Sequence, residues 1–301
     1  MFVKYVLAVD VGATKIHGGI LDESLKIIHE KTIASRESIL GLADPGLQRT
    51  KSVIAELTSL AAKSNINISS ACIGFPEYVS NDGQIISKDT IDWQSQPRSE
   101  LLALTGIDWI VESDIRCAAM GELHLIEDKS KSNFLYVLVS SGISHTMVIN
   151  GRAWPGANGR AIGFGVTQIE HGGQFKSLES VASGLGIARE YERLSGISVR
   201  GAVEVFQKFD SDSTSRIVIK QAAESLSRGL MNLVEVLDPS KIVIGGGLWL
   251  GSQNYRELVG DLLPRTINDI IGMASLSNSG LIGAGVIAQN SLKTSGNLEK
   301  K

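Results

Sequence analysis

The sequence predicts an α/β fold of two similar domains facing a cleft, and three observations predict it. Short β-rich runs alternate with longer stretches whose apolar residues recur at helical spacing. Several apolar runs end in glycine turns: DVGATK at residue 10, SSG at residue 140 and GGG at residue 245. The 301 residues are 43% apolar and 20% charged, a composition that supports real hydrophobic cores and excludes wholesale disorder.

The first run, Phe2 to Val9, is followed by Ile16 to Leu21 and Lys26 to Ile33. Joined by GATK and DES, the three predict an antiparallel meander. A helix is expected from about Leu47 to Lys63, because Val53, Ile54, Leu57, Leu60 and Ala61 recur at spacings of three and four. Ala71 to Gly74 and Ile110 to Glu112 read as short buried strands, with a helix over Ile115 to Ile126.

The second half repeats the scheme. Phe134 to Val139 and Thr146 to Ile149 read as strands, and Gly151 to Gly165 as a loop. The longest helix is expected over Ser213 to Leu237, striped by Ile217, Ala222, Leu226, Leu230, Leu233 and Leu237 and stopped by Pro239. Lys241 to Ile244 is a buried strand, Tyr255 to Ile271 a helical segment, and Gly283 onward a crossing helix with a solvated tail over its last residues. These elements divide into residues 1–112 plus the helix from about 284 to 301, and residues 113–283.

Composition narrows the function. A net charge of -3 gives no electrostatic case for nucleic acid or an anionic membrane. No apolar run reaches the roughly 18 residues of a membrane helix. The N-terminal run meets Asp10 without a basic flank or cleavage site, so it reads as a strand rather than a signal peptide. Cys72 and Cys117 cannot form a disulfide framework and lack zinc-site spacing, so a reduced, cytoplasmic protein is expected.

The chemistry-bearing residues lie at the turns. Gly12 lets backbone amides approach a phosphate, Thr14 adds a hydroxyl, Lys15 follows, and Asp10 can hold magnesium; an ordinary hairpin with an acidic end is the competing reading. Ser141 and Gly142 form a counterpart, against which a serine-capped turn competes. Gly245, Gly246 and Gly247 imply something flat or anionic on the backbone, without Rossmann or Walker spacing. Asp114, between a strand and a helix, reads either as a helix cap or as a general base for phosphoryl transfer. His17, His29 and His124 read as structural, and His145 as a loop histidine beside the phosphate turn. Trp93 and Trp154 flank the expected cleft, where stacking on a sugar competes with packing.

Taken together and in order, these segments resemble the ROK family (repressors, open reading frames, kinases) of the actin-like ATPase superfamily. The resemblance spans nearly the whole chain: DVGATKIHGGILD, IGFPEYVSNDGQI, VESDIRCAAMGE, SSGISHTMVINGRAWPGANG, SLESVASG, IVIGGG and LIGAGVIA. It implies two ribonuclease H-like domains, ATP with Mg²⁺, and phosphorylation of a sugar hydroxyl. Asp114 falls on the family's catalytic base and Glu179 on a glutamate that helps hold the sugar. Gly12, Thr14 and Gly246 fall on nucleotide-contacting segments. Ser113 and Asn158 join Asp114 and Glu179 as the expected acceptor side.

The departures alter what the resemblance implies. The family's G-E-x-G-H reads Ile162-Gly163-Phe164-Gly165-Val166, so a sugar-binding Glu and His become Gly163 and Val166. The zinc segment reads Glu170 to Ser177 with no cysteine, so no zinc is expected. Ser113 replaces an Asn, Ser140-Ser141-Gly142 replaces G-T-G, and Glu77 places a new carboxylate near the expected sugar side. A site built to bond a hydroxyl can discriminate by about 10⁴–10⁵, so losing such contacts predicts a changed acceptor. A hexose-like sugar or amino sugar is the leading acceptor, with a kanosamine-type or C7-cyclitol substrate and a non-catalytic sugar- or nucleotide-binding protein as alternatives. A DNA-binding repressor is disfavoured because the phosphate turn begins at residue 10. Homodimers are common in the family, and the sequence identifies no interface.

Overall fold

The computed structural model describes residues 4–36, 42–128 and 132–298. Phe2, Val3 and the last three residues, assigned above to a strand and a tail, lie outside them. In chain order the elements are β1 (Tyr5–Val11), β2 (Lys15–Leu21), β3 (Ile27–Ala34), α1 (Gln48–Lys63), β4 (Ile68–Phe75), α2 (Pro97–Thr105), β5 (Trp109–Ser113) and α3 (Asp114–His124). Next come β6 (Phe134–Val139), β7 (Ile143–Ile149), β8 (Arg152–Ala153), β9 (Gln168–His171), β10 (Gln174–Ser177), α4 (Leu178–Ala182), α5 (Gly184–Ser195), α6 (Ala202–Gln207) and α7 (Ser213–Leu237). The chain finishes with β11 (Ile242–Gly245), α8 (Gly247–Gly251), α9 (Gln253–Leu262), α10 (Arg265–Asn268), β12 (Ile271–Met273) and α11 (Ser279–Leu298). No described helix is long and apolar enough to cross a membrane.

Two compact units result. The first comprises Met1–Ser132, Asn150–Ala161 and Ser275–Lys301, and the second Asn133–Ile149 and Ile162–Ala274. The expected boundary near residue 112 therefore moves to 132, and residues 150–161 join the first unit. The physical reason is α3, which packs on α11. The backbones touch so closely that a Cβ on Gly283 would overlap the Cys117 carbonyl oxygen at 1.6 Å.

In the first unit the strands run β3-β2-β1-β4-β5. The expected meander is present: β1 and β3 flank β2 antiparallel, while β4 pairs parallel with β1 and β5. Side chains alternate across the sheet. Leu7, Val9 and Val11 pack with Val53, Ile54 and Leu57 of α1 and Leu101 of α2. Val6, Ala8 and Cys72 pack with Cys117 of α3 and Leu281, Ala284 and Ala288 of α11.

In the second unit β12-β11-β6-β7 are neighbours, parallel except for the β6–β7 hairpin. Their core includes Leu135, Val137, Ile242 and Ile244, covered by α7. The buried stripe of α7 is Val218, Ile219, Ala222, Ala223, Leu226 and Leu230; Ile217, expected in it, is 50% exposed. The expected 255–271 helix is broken into α9, α10 and β12. Pro264 disfavours helical backbone at Leu263, and the last apolar residues pair as a strand with β11. The expected 151–165 loop holds β8 and a 3₁₀ turn, Gly163–Val166. Residues 291–298, expected as tail, continue α11.

Candidate active site

The first unit brings Asp10, Gly74 and Asp114 together. Asp10 pairs with Gly74 across β1 and β4, and Gly74 with Glu112 across β4 and β5. One residue after β5, α3 opens with Asp114, whose Cα would lie 3.2 Å from a Cβ built on Gly74. The bare strand at Gly74 thus lets the start of α3 settle beside Asp10. The far side of Asp10 meets the first turn of α11: a Cβ on Gly280 would stand 2.5 Å from Oδ2 and 2.7 Å from Oδ1.

This crowding governs protonation. Burial raises the Asp114 pKa from 3.8 to about 8, and the charges of Asp10 and Glu77 push the same way. The Ile115 N–H, donated to Asp114 Oδ1 at 2.6 Å, and the Arg116 charge oppose it. Burial also raises Asp10 to about 6 against the pull of Lys15 and His17. Two neighbouring carboxylates whose charged forms are disfavoured by burial are hard oxygen donors suited to a divalent cation such as Mg²⁺. Asp114 is the first residue of α3 rather than its cap; Ser113 occupies the cap position and makes no side-chain cap bond.

The remaining first-unit candidates divide. Gly12 closes the β1–β2 turn by donating its N–H to the Lys15 carbonyl at 2.8 Å, leaving Thr14 and Lys15 exposed. The Thr14 and Ala13 carbonyls accept from the Ser35 N–H and from Arg36 Nε. Asn158 is exposed on the 150–161 segment. Ser113, expected at the acceptor, is fully buried, and its hydroxyl has no partner among the described residues. The alternation of β5 puts it on the same face as Trp109 and Val111, opposite Glu112. Glu77 is also buried: its carboxylate accepts from the Ser87 hydroxyl and the Asp89, Thr90 and Ile91 amides. It fastens the 87–91 loop, and its effect on Asp114 is electrostatic. Trp93 joins the core and donates Nε1–H to the Ser87 carbonyl, while Trp154 is 46% exposed.

The second unit carries the other glycine turns. Ser140, Ser141 and Gly142 connect β6 to β7, and the Gly184 and Leu185 amides opening α5 donate to the Ser140 and Ser141 carbonyls. Glu179 Oε2 accepts the Ile143 N–H at 2.7 Å and lies over Gly142, where a Cβ would stand 2.6 Å from it. Of the three consecutive glycines, Gly245 abuts the Tyr136 hydroxyl and Gly246, at φ 98°, abuts the Val139 carbonyl. Internal packing explains those two. Gly247 has only the Ser140 hydroxyl, at 3.9 Å, within reach of a Cβ.

His145 Nδ1 accepts the Phe164 N–H at 3.2 Å, and burial lowers its pKa to about 4, so it is neutral. Residues 168–177 form the β9–β10 hairpin, closed by Gly172 and Gly173, both at positive φ. Among the described residues no group of three or more His, Cys, Asp or Glu side chains could hold a metal ion.

Sequence reasoning missed the site roles of Gly74 and Arg116 and the contact of Gly280 with Asp10. Only the in-register pairing of β1 with β4 and the return of α11 reveal the two glycines. Arg116 had a legible signal: a charged residue within an otherwise apolar helix stretch, Ile115 to Met120.

A family model described as "ROK family" matches residues 6–291. A β-glucoside kinase of Listeria innocua is 27% identical over 93% of this chain and 95% of its own length. A glucokinase of Halalkalibacterium halodurans is 28% identical over 94% of each. The crystal structure of a ROK family glucokinase from Streptomyces griseus, in complex with glucose and AMPPNP, aligns with a TM-score of 0.74. It shares 20% identity, over 95% of this chain and 99% of that one. With the fold and the order of its segments in agreement, the chain belongs to the ROK family.

Proposed function

We propose that this protein is an ATP-dependent carbohydrate kinase that transfers the γ-phosphoryl group to a hydroxyl of a hexose-like sugar or amino sugar, with Asp114 as general base. The observation that carries the reading is the placement of Asp114 beside Asp10 across the side-chain-free strand at Gly74. The names of the two curated relatives support the reaction class.

Asp114 accepts the acceptor hydroxyl proton as the oxygen attacks the γ-phosphorus, whose bond to the β,γ-bridging oxygen breaks to release ADP. Its carboxylate is held in orientation by the Ile115 amide. Because its pKa lies near 8, the proton must leave before it can act. Asp10 would hold Mg²⁺, directly or through water, and the ion supplies charge neutralisation for the phosphates. Thr14 and Lys15, exposed on the β1–β2 turn, offer a hydroxyl and a positive charge to phosphate oxygens. Ser141, Gly142 and Gly247 are assigned to the nucleotide, and Glu179 and Asn158 to the acceptor. The Gly163–Val166 turn presents an exposed Val166 and a buried Phe164, with no side-chain hydrogen-bonding group. Acceptors other than glucose therefore belong in the test.

The test is ADP release over hexoses, amino sugars and cyclitols, with wild type and Asp114→Asn. Turnover is expected with at least one acceptor. A general base contributes about 10²–10⁴-fold, so the variant should lose that much while still binding ATP. No turnover with any acceptor, or an unaltered rate in Asp114→Asn, would overturn the reading.

A further inference from the structure

Arg116 is 1% exposed, the only arginine or lysine among the buried polar residues of the described chain. Nε donates to Glu112 Oε1 at 2.6 Å, and Nη2 lies 2.5 Å from the same oxygen. The rest of the fork reaches two backbone segments. Nη2 donates to the Val79 carbonyl at 2.7 Å and Nη1 to the Gly159 carbonyl at 3.1 Å.

Those two carbonyls mark a crossing. Gly159, at φ 74°, passes so near residue 79 that a Cβ would come within 1.9 Å of the Val79 oxygen. Around the crossing, Asn81 Nδ2 donates to the Gly156 and Ala157 carbonyls, and the Arg160 guanidinium stacks 4.4 Å from the Tyr78 ring centroid. Asn158 lies inside this zipped stretch, and Arg116 stands two residues beyond Asp114 on the first turn of α3.

We propose that Arg116 is a positioning residue for the acceptor. It ties the helix that begins with Asp114 to the crossing that carries Asn158, and so sets how tightly the acceptor is held. The proposal rests on the kinase reading above and on the assignment of Asn158 to the acceptor. A buried guanidinium persists only when paired, and Glu112 supplies the pair. Its planar donor fork can serve a carboxylate and two carbonyls at once; a lysine ammonium cannot reproduce that geometry.

Removing one partner alone would strand a buried charge, so the principal variant is the double substitution Arg116→Met with Glu112→Gln. Arg116→Lys serves as the conservative comparison. Amide hydrogen exchange and steady-state kinetics are measured on the full chain. Exchange at residues 78–81 and 156–161 should rise about tenfold or more in the double variant, while β1 and β4 keep their protection. The KM for the acceptor should rise about tenfold or more, the KM for ATP should stay within about threefold, and Arg116→Lys should fall between.

A purely structural role would raise exchange throughout the first unit and would not separate the two KM values. Unaltered exchange at the two segments, or an unaltered acceptor KM in a folded double variant, would overturn the proposal. Should wild type phosphorylate no acceptor, the kinase reading fails, and the latch itself still stands or falls on the exchange measurement.

Discussion

Replacing Asp114 by Asn should stabilise the protein, and the gain should grow with pH. An aspartate titrates near 3.8 when free, and in the fold Asp114 keeps its proton to about 8. Between these values the folded state binds more protons than the unfolded state, so stability falls as pH rises through the window. Asn carries no charge at any pH. Below pH 4 both side chains are neutral and nearly isosteric, and the two proteins should be about equally stable. Above pH 8 the wild type bears the full cost. About four units at about 1.4 kcal/mol each set a ceiling of roughly 5–6 kcal/mol.

The Asp10 charge is one of the causes that raise Asp114, so its repulsion is already inside that ceiling. Urea unfolding at pH 4.5 and 8.5, without nucleotide or divalent cation, reads the effect through fluorescence that includes the buried Trp109. The stability difference between variant and wild type should widen by at least about 2 kcal/mol between the two pH values. A difference that stays constant would refute the placement of Asp114 in a desolvated, like-charged setting.

The same protonation predicts that kcat/KM for the acceptor rises with pH to a midpoint near 8. Glu77→Gln removes a charge that raises Asp114 and should move that midpoint down; a rate independent of pH between 6 and 9 contradicts both statements. Gly280→Ala sets a methyl group against the Asp10 carboxylate, and turnover at fixed Mg²⁺ should fall about tenfold or more, with the loss read in the Mg²⁺ dependence. The β9–β10 hairpin closes through its own glycine turn, so a strong zinc chelator should leave Tm unaltered, and purified protein should contain far less than one equivalent of zinc.

Much of this was legible before the structure. Local signals located the opening meander, the long helix stopped by Pro239, and the strand-to-helix switch at Asp114. What escaped depends on distance along the chain. The buried stripe of α7 keeps the expected Ala222, Leu226 and Leu230 and departs from expectation at its start, where Val218 and Ile219 are inward and Ile217 outward. Periodicity fixes a face only to within about one residue. The segment after Tyr255 has enough apolar residues for one helix, but Pro264 breaks it and pairing with β11 takes the rest.

At the site, Ser113 and Glu77 were placed near an acceptor by their neighbours in sequence. Strand alternation buries the first, and the second is saturated by the 87–91 loop. Gly245 and Gly246 looked like Gly247, yet two of the three answer to contacts with β6. Arg116 stood in plain view, but its two carbonyl partners are 37 and 43 residues away.

The close seating of α11 on α3 has a consequence for biosynthesis. The first unit draws its final helix from residues that follow the entire second unit. On the ribosome, Val6, Ala8, Cys72 and Cys117 must wait for Leu281, Ala284 and Ala288 before their side of the sheet is covered. The carboxylate at residue 10 likewise lacks its Gly280 neighbour until then. The second unit can therefore complete its core first, reversing the usual N-terminal-first order of domain folding. A nascent chain released after residue 274 would expose an apolar sheet face, a target for chaperones, rather than a half-active enzyme.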